Sequence, residues 1–278
     1  MYQYLDALKT ILKHGDLVPN RTGVSAITYP HIMIRHDMSD GFPLLTTKKM
    51  AWKSMKVELE FFIKGLTDKK WLQDRGCHIW DEWCNPSKVP TELAHEERKK
   101  FQLEETDLGK VYGYQWRNFN SQGIDQLENI VKSLKSTPYD RRCVCLSWNP
   151  AQLKEQALPA CHTQWVISAT KNKLHLAYSM RSTDFFLGAP FNQSSYALLL
   201  HLLCKETGFG EGVVSGFFAN AHIYETHISA VEEQLSRKPF GLPKIETKSF
   251  KSIFDWTYKD TELINYECHP AIKAPIAV

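Results

Sequence analysis

Several kinds of sequence are missing from this chain of 278 residues, and each absence removes a class of protein. No stretch approaches the roughly 20 apolar residues that a membrane-spanning helix needs. The first residues, MYQYLDALKTILKHGD, lack both the continuous apolar core and the small-residue cleavage pattern of a signal peptide, so a cytoplasmic protein without a membrane partner is expected. The seven cysteines, Cys77, Cys84, Cys143, Cys145, Cys161, Cys204 and Cys268, are odd in number and form no CxxC pair of ligand-like spacing. That fits a reducing compartment and predicts no metal site. Charge of one sign is also lacking: 34 Lys and Arg against 31 Asp and Glu leave +3, and the basic runs TTKKMAWK and EERKKF are short and interrupted. No nucleic-acid partner is expected without a clustered basic stripe. Internal repeats, low-complexity tracts and a glycine-rich phosphate loop are absent too.

What is present is a composition that can build a core. Hydrophobic residues make up 43% and charged residues 23%, the proportions of a globular protein. The length predicts one domain over residues 1–278, with SKVPTELAHEERKKFQLEETDL, within about 85–108, as a charged, helical surface excursion. Helical spacing marks QYLDALKTILKHGD, WKSMKVELEFFIKGL, DQLENIVKSLKS and SSYALLLHLLCKETGFG. Alternation or buried runs mark strands at SAITYPHIMIRHD, CVCLSW and VVSGFFANAHIY, and a hairpin at CHTQWVISATKNKLHLAYSMRS with KNK at its tip. Helices and strands in mixed order predict an α+β fold.

Four loop arginines, Arg21, Arg141, Arg142 and Arg181, suit an anionic small substrate, because guanidinium groups present paired planar donors to phosphate oxygens. Each alone reads more readily as a surface ion pair, and it is the adjacent pair after a turn and the RS before an acidic residue that favour an anion. Cys161, in ALPACHTQW, reads either as a small buried hydrophobe or as a nucleophile, the latter if a fixed cation such as Arg181 favours its thiolate. Adjacent residues on a strand face opposite ways, so His162 is expected to be structural rather than the base of Cys161.

RTG, GFPLLTTKK, HIWDEW, VYGYQWR, DRR, RSTDFFLGAPFN, HIY and IKAPIAV, in this order over nearly the whole chain, resemble the thymidylate synthase family. The resemblance implies a mixed twisted sheet with long buried helices and a homodimer formed by sheet packing. It implies dUMP as substrate and 5,10-methylenetetrahydrofolate as one-carbon donor, with Cys161 adding to C6 of the pyrimidine. Arg21, Arg181 and Ser182 match phosphate-binding positions, joined by Arg141 and Arg142 from the partner subunit. Asn192 matches the residue that reads the uracil O4 and N3–H edge, where cytosine-specific relatives carry aspartate. His222 and Tyr224 match sugar-binding positions. Glu58 matches the carboxylate that orders water and moves protons near the base, and Tyr112 the tyrosine associated with removal of the C5 proton. Trp80, Asp184 and Val278 match positions that hold or cover the folate.

The family pattern breaks at Ala160 for proline, Met180 for glutamine, and Ala219-Asn220 for glycine-aspartate. MRS and ELE, at Met180 to Ser182 and Glu58 to Glu60, resemble a phage deoxycytidylate hydroxymethylase. On this ground the expected product is 5-hydroxymethyl-dUMP, as phages with modified DNA require; Glu60 reads either as a residue that orders the attacking water or as a solvated or ion-paired helix glutamate. The rival is thymidylate synthase itself, supported by Trp80 and the intact tail. A catalytically silent nucleotide- or RNA-binding homologue is the third reading, and it predicts losses at Cys161 or the arginines that are not seen.

Overall fold

Apolar residues spaced for a helical stripe bury Leu5, Leu8 and Ile11 along α1 (Tyr2–His14), which stops at Gly15. The computed structural model describes residues 1–276. Two strands follow, β1 (Asp16–Val18) and the long β2 (Ala26–Asp37), separated by the loop that carries Arg21. The helices α2 (Trp52–Ile63), α3 (Lys70–Gln73), α4 (His95–Glu104), α5 (Tyr112–Arg117) and α6 (Gln126–Ser136) come next. Then come β3 (Val144–Leu146), the hairpin β4 (His162–Thr170) and β5 (Lys173–Met180), and β6 (Thr183–Asp184). The chain continues through α7 (Gly188–Thr207), β7 (Gly210–Tyr224), α8 (Ile228–Ser236), β8 (Lys244–Thr247) and β9 (Thr261–Ile264).

The main sheet has the order β1-β2-β7-β5-β4-β3, with β6 pairing the end of β7. β5 and β6 run parallel to β7, and the other neighbours are antiparallel, which makes the sheet mixed. The fold is therefore α+β, as the order of elements predicts. Period-2 alternation assigns the faces. Trp165 and Ile167 of β4, and Leu174, Leu176, Tyr178 and Met180 of β5, are buried against the helices, while Val166, Ala177 and Ser179 point to the other, half-exposed face. On that same outer face Met33 of β2 is 72% exposed.

Helix α7 is buried almost all round, because it runs through the core beneath β5 and β7. It ends at Gly208, whose φ of 79° lies in the left-handed region that a side chain would strain. Its first turn starts at Gly188, six residues before the helical pattern is legible, which puts Asn192 on a rigid element rather than in a loop. The charged excursion holds α4, which has no buried residue. It is nonetheless tied down: the buried Lys69 ammonium donates to the carbonyls of Gln102, Asp81 and Trp83 at 2.7, 2.7 and 2.9 Å. No helix among the described residues is long and apolar enough to cross a membrane.

Candidate active site

Cys161 stands at the entry to β4, where the pairing of His162 with Met180 leaves its carbonyl to accept the Arg181 backbone N–H at 2.9 Å. The Arg181 side chain folds back over the same turn. Its Nε donates to the Ala160 carbonyl at 3.0 Å and Nη2 to the Pro159 carbonyl at 2.7 Å, which leaves Nη2 3.7 Å from Cys161 Sγ. A fixed cation therefore sits where the sequence reading needs one. Burial still pushes the Cys161 thiol up, and Arg181, the Tyr112 hydroxyl and Arg21 offset only part of that rise. His162 points the other way, buried, with Nδ1 3.1 Å from the Tyr196 hydroxyl, and burial lowers its pKa to about 4. It is a neutral structural ring and not the base of Cys161.

Four residues, Tyr112, Glu58 and Asn192 from three separate helices and Trp80 from a loop, are buried around the site. The Tyr112 hydroxyl, at the start of α5, accepts the Cys161 N–H at 2.9 Å, and its ring packs on Phe62, Trp80 and His162. Glu58, on the buried side of α2, accepts the Trp80 indole N–H at 2.8 Å. Burial pushes the Glu58 carboxyl up to about 7, against that hydrogen bond, so it can both hold and release a proton near neutrality. Asn192 is buried on α7 with Nδ2 3.4 Å from the Met180 sulfur, which also takes the Thr183 hydroxyl at 3.5 Å. A thioether only accepts, so Met180 turns the amide nitrogen toward itself.

Glu60 corrects the water-ordering reading. Two residues apart on a helix means about 200° of rotation, so Glu58 and Glu60 cannot share a face. The Glu60 carboxylate is instead taken by Lys64 at 2.7 Å and by the Tyr258 N–H at 2.8 Å. This is the ion-paired reading of Glu60, and its carboxylate is not free to order water at the site.

Around the entrance, Arg21 is exposed; burial and the Asp184 carboxylate make the Tyr224 hydroxyl less acidic, and the charge of Arg21 works the other way. Ser182 lies half-buried beside Arg181. His222 Nδ1 lies 2.9 Å from Asn220 Oδ1, at one of the departures from the family pattern, and its ring stands edge-on to Tyr224. Asp184 Oδ1 accepts the N–H groups of Phe186 and Leu187 at 2.9 and 3.0 Å, which caps the entry to α7. Arg141 and Arg142 lie apart. The register pairs Val144 with Val166, which puts their exposed turn about 20 Å from Cys161 along β4. Arg142 is meanwhile bound by two hydrogen bonds to Asp140. Val278 lies outside the described residues.

Two residues escaped the sequence reading because a buried cation or ring looks, in sequence, like a surface one. Lys48, in TTKK, is buried with Nζ 2.6 Å from the Phe186 carbonyl and over the Phe186 ring, and burial lowers it to about 7. His227, wholly buried, lies beside Asp184. A cavity of about 510 Å³ among Tyr4, Ile34, Leu44, Pro190, Gln193 and Phe240 is lined by none of the candidate residues. Among the described residues no three or more His, Cys, Asp or Glu side chains are grouped to hold a metal.

A thiol beside a fixed arginine, with a near-neutral carboxyl and a further arginine nearby, is an arrangement that suits covalent catalysis on an anionic substrate. Comparison with known proteins narrows that class. The sequence model of the family described as "Thymidylate synthase" matches residues 2–278. Relatives named thymidylate synthase, from Mycoplasma pneumoniae, Mycoplasma genitalium and Mycoplasma mobile, are 42%, 41% and 43% identical, with 100% of this chain and of each relative covered. The chain belongs to the thymidylate synthase family. It is a one-carbon transferase, with methylenetetrahydrofolate as co-substrate. The residues present suit that co-substrate: partly exposed Asp184 keeps Oδ2 without a partner among the described residues, an acceptor for ring N–H donors, in the neighbourhood of Lys48.

Proposed function

We propose that the chain methylates dUMP at C5, producing dTMP and dihydrofolate. The observation that carries this reading is the identity of 41–43% over the whole chain to relatives named thymidylate synthase. Arg21, Arg181 and Ser182 would hold the phosphate, with Arg141 and Arg142 reaching it from a second copy. Their distance from Cys161 within one chain and the half-exposed outer face of the sheet both support a homodimer. His222 and Tyr224 hold the sugar hydroxyl, and Asn192 reads the base, donating to O4 and accepting from N3–H.

With dUMP so placed, the Cys161 thiolate adds to C6, and the negative charge that develops is carried through C5 and O4. Glu58 exchanges a proton through ordered water at the O4 side, and Tyr112 directs removal of the C5 proton. Bound folate supplies the methylene carbon and, in this reaction, the hydride that reduces it to methyl. Trp80 and Asp184 hold the folate, and the C-terminal residues, Val278 included, keep water out.

The second reading, a hydroxymethylase, keeps support from Ala160, Met180 and Asn220 around the nucleophile and base. It has lost Glu60 as the organiser of water. A silent homologue has no feature in its favour, since the thiol and all the arginines are present. The test is turnover of dUMP with methylenetetrahydrofolate. Dihydrofolate should form in step with dUMP consumption, and Cys161→Ser should lower the rate by ~10⁴-fold or more. Retained turnover in Cys161→Ser rules out the covalent route.

A further inference from the structure

His227 is a buried ring with two different neighbours on its two nitrogens. Its relative exposure is 0%. On one side Nε2 lies 2.7 Å from the carbonyl of Pro275, in the C-terminal segment. A carbonyl only accepts, so Nε2 carries a proton. On the other side Nδ1 lies 3.7 Å from Asp184 Oδ1 and has no hydrogen-bond partner among the described residues. A neutral ring protonated on Nε2 would aim a lone pair at that carboxylate, and a doubly protonated ring would aim a donor at it. The ring packs tilted against Phe186 and edge-on to Tyr224, with centroids at 5.6 and 5.5 Å, and is fully buried there.

We propose that His227 is the anchor of the C-terminal segment: one ring donates to the Pro275 carbonyl while facing Asp184, and so ties that segment to the loop that enters α7. The charged and titratable groups facing it are Asp184 from β6, Lys48 from the loop before α2, and His222 and Tyr224 from β7. Burial works against a charge on the ring, and Asp184 with the Pro275 carbonyl outweighs it and raises the pKa. His227 is a positioning residue. It touches neither Cys161 nor the base, and it acts through the segment it holds. Its consequence for the folate rests on the assignment of Asp184 to that face made above, whereas the anchoring itself does not.

Two substitutions separate the two contacts. The amide nitrogen of glutamine falls near the position of Nε2, so His227→Gln keeps a donor for Pro275. Asparagine is shorter and reaches only the Asp184 side, so His227→Asn loses the Pro275 contact. Hydrogen–deuterium exchange of the peptide over residues 264–276, in the full chain without ligands, should be ~10-fold faster in His227→Asn than in the native protein, and close to native in His227→Gln. Under steady-state conditions His227→Asn should raise KM for the folate with dUMP affinity unchanged. Equal exchange in all three proteins overturns the anchor. Faster exchange with an unchanged folate KM keeps the anchor and overturns only its link to the folate.

If His227→Asn does not fold, nitrogen-15 NMR of the native imidazole decides the question. Nε2 must be protonated, and its resonance must shift when residues 275–278 are removed. An unshifted resonance overturns the proposal.

Discussion

Nη2 of Arg181 stands 3.7 Å from Sγ of Cys161, on a guanidinium held in place by the carbonyls of Pro159 and Ala160. The cation thus needs no substrate to position it. Arg181→Leu should slow alkylation of Cys161 by iodoacetamide by ~10-fold near neutral pH, with the pH midpoint moved upward, because the thiolate loses its nearest positive charge. Arg181→Lys should fall between the two proteins. Alkylation equal in all three would show that the arginine serves only the loop.

Glu58 links catalysis to stability with a definite sign. Its carboxyl is raised from about 4.5 to about 7, so the folded state binds the proton more tightly than the unfolded state. Stability from this group is present at acid pH and is lost as pH rises from about 4.5 to about 7. Glu58→Gln removes that cost while keeping an acceptor for Trp80. It should therefore be more stable than the native protein by up to ~3 kcal/mol at about pH 8, with little difference at about pH 4, while turnover falls. Denaturant melts at the two pH values check this, and a destabilised variant at the higher pH contradicts it.

Asn192 and Met180 set up a test of base recognition. With the amide nitrogen drawn to the Met180 sulfur and buried His162 also within reach of the side chain, the amide's remaining N–H and its oxygen are the groups it can turn to the base. Asn192→Asp should lower kcat/KM for dUMP by roughly a hundredfold and raise it for dCMP, since a carboxylate cannot donate to O4 and can accept from the cytosine amine. Unchanged preference would remove Asn192 from base reading.

Much of the scaffold is legible in the sequence because its signals are local. The apolar stripe of α1, the alternation along β4 and β5, and the glycine that stops α7 are patterns of near neighbours. The opposite faces of Cys161 and His162 follow from strand geometry alone, and the structure agrees. Glu60 stays open in the sequence for the converse reason: the partners that select its ion-paired reading include the distant Tyr258 N–H. The short strand β1 and the early start of α7 depend on tertiary pairing and packing, which local patterns do not record. Lys48, Lys69 and His227 are buried polar groups satisfied by distant carbonyls, and nothing in their sequence neighbourhood announces it.

The central claim is the fate of the transferred carbon, and the mass of the nucleotide formed from dUMP and methylenetetrahydrofolate tests it most directly. The account predicts a methyl nucleotide, with dihydrofolate as the folate product. A hydroxymethyl nucleotide with tetrahydrofolate would contradict it and would make Ala160, Met180 and Asn220 the residues that admit water to the reacting carbon.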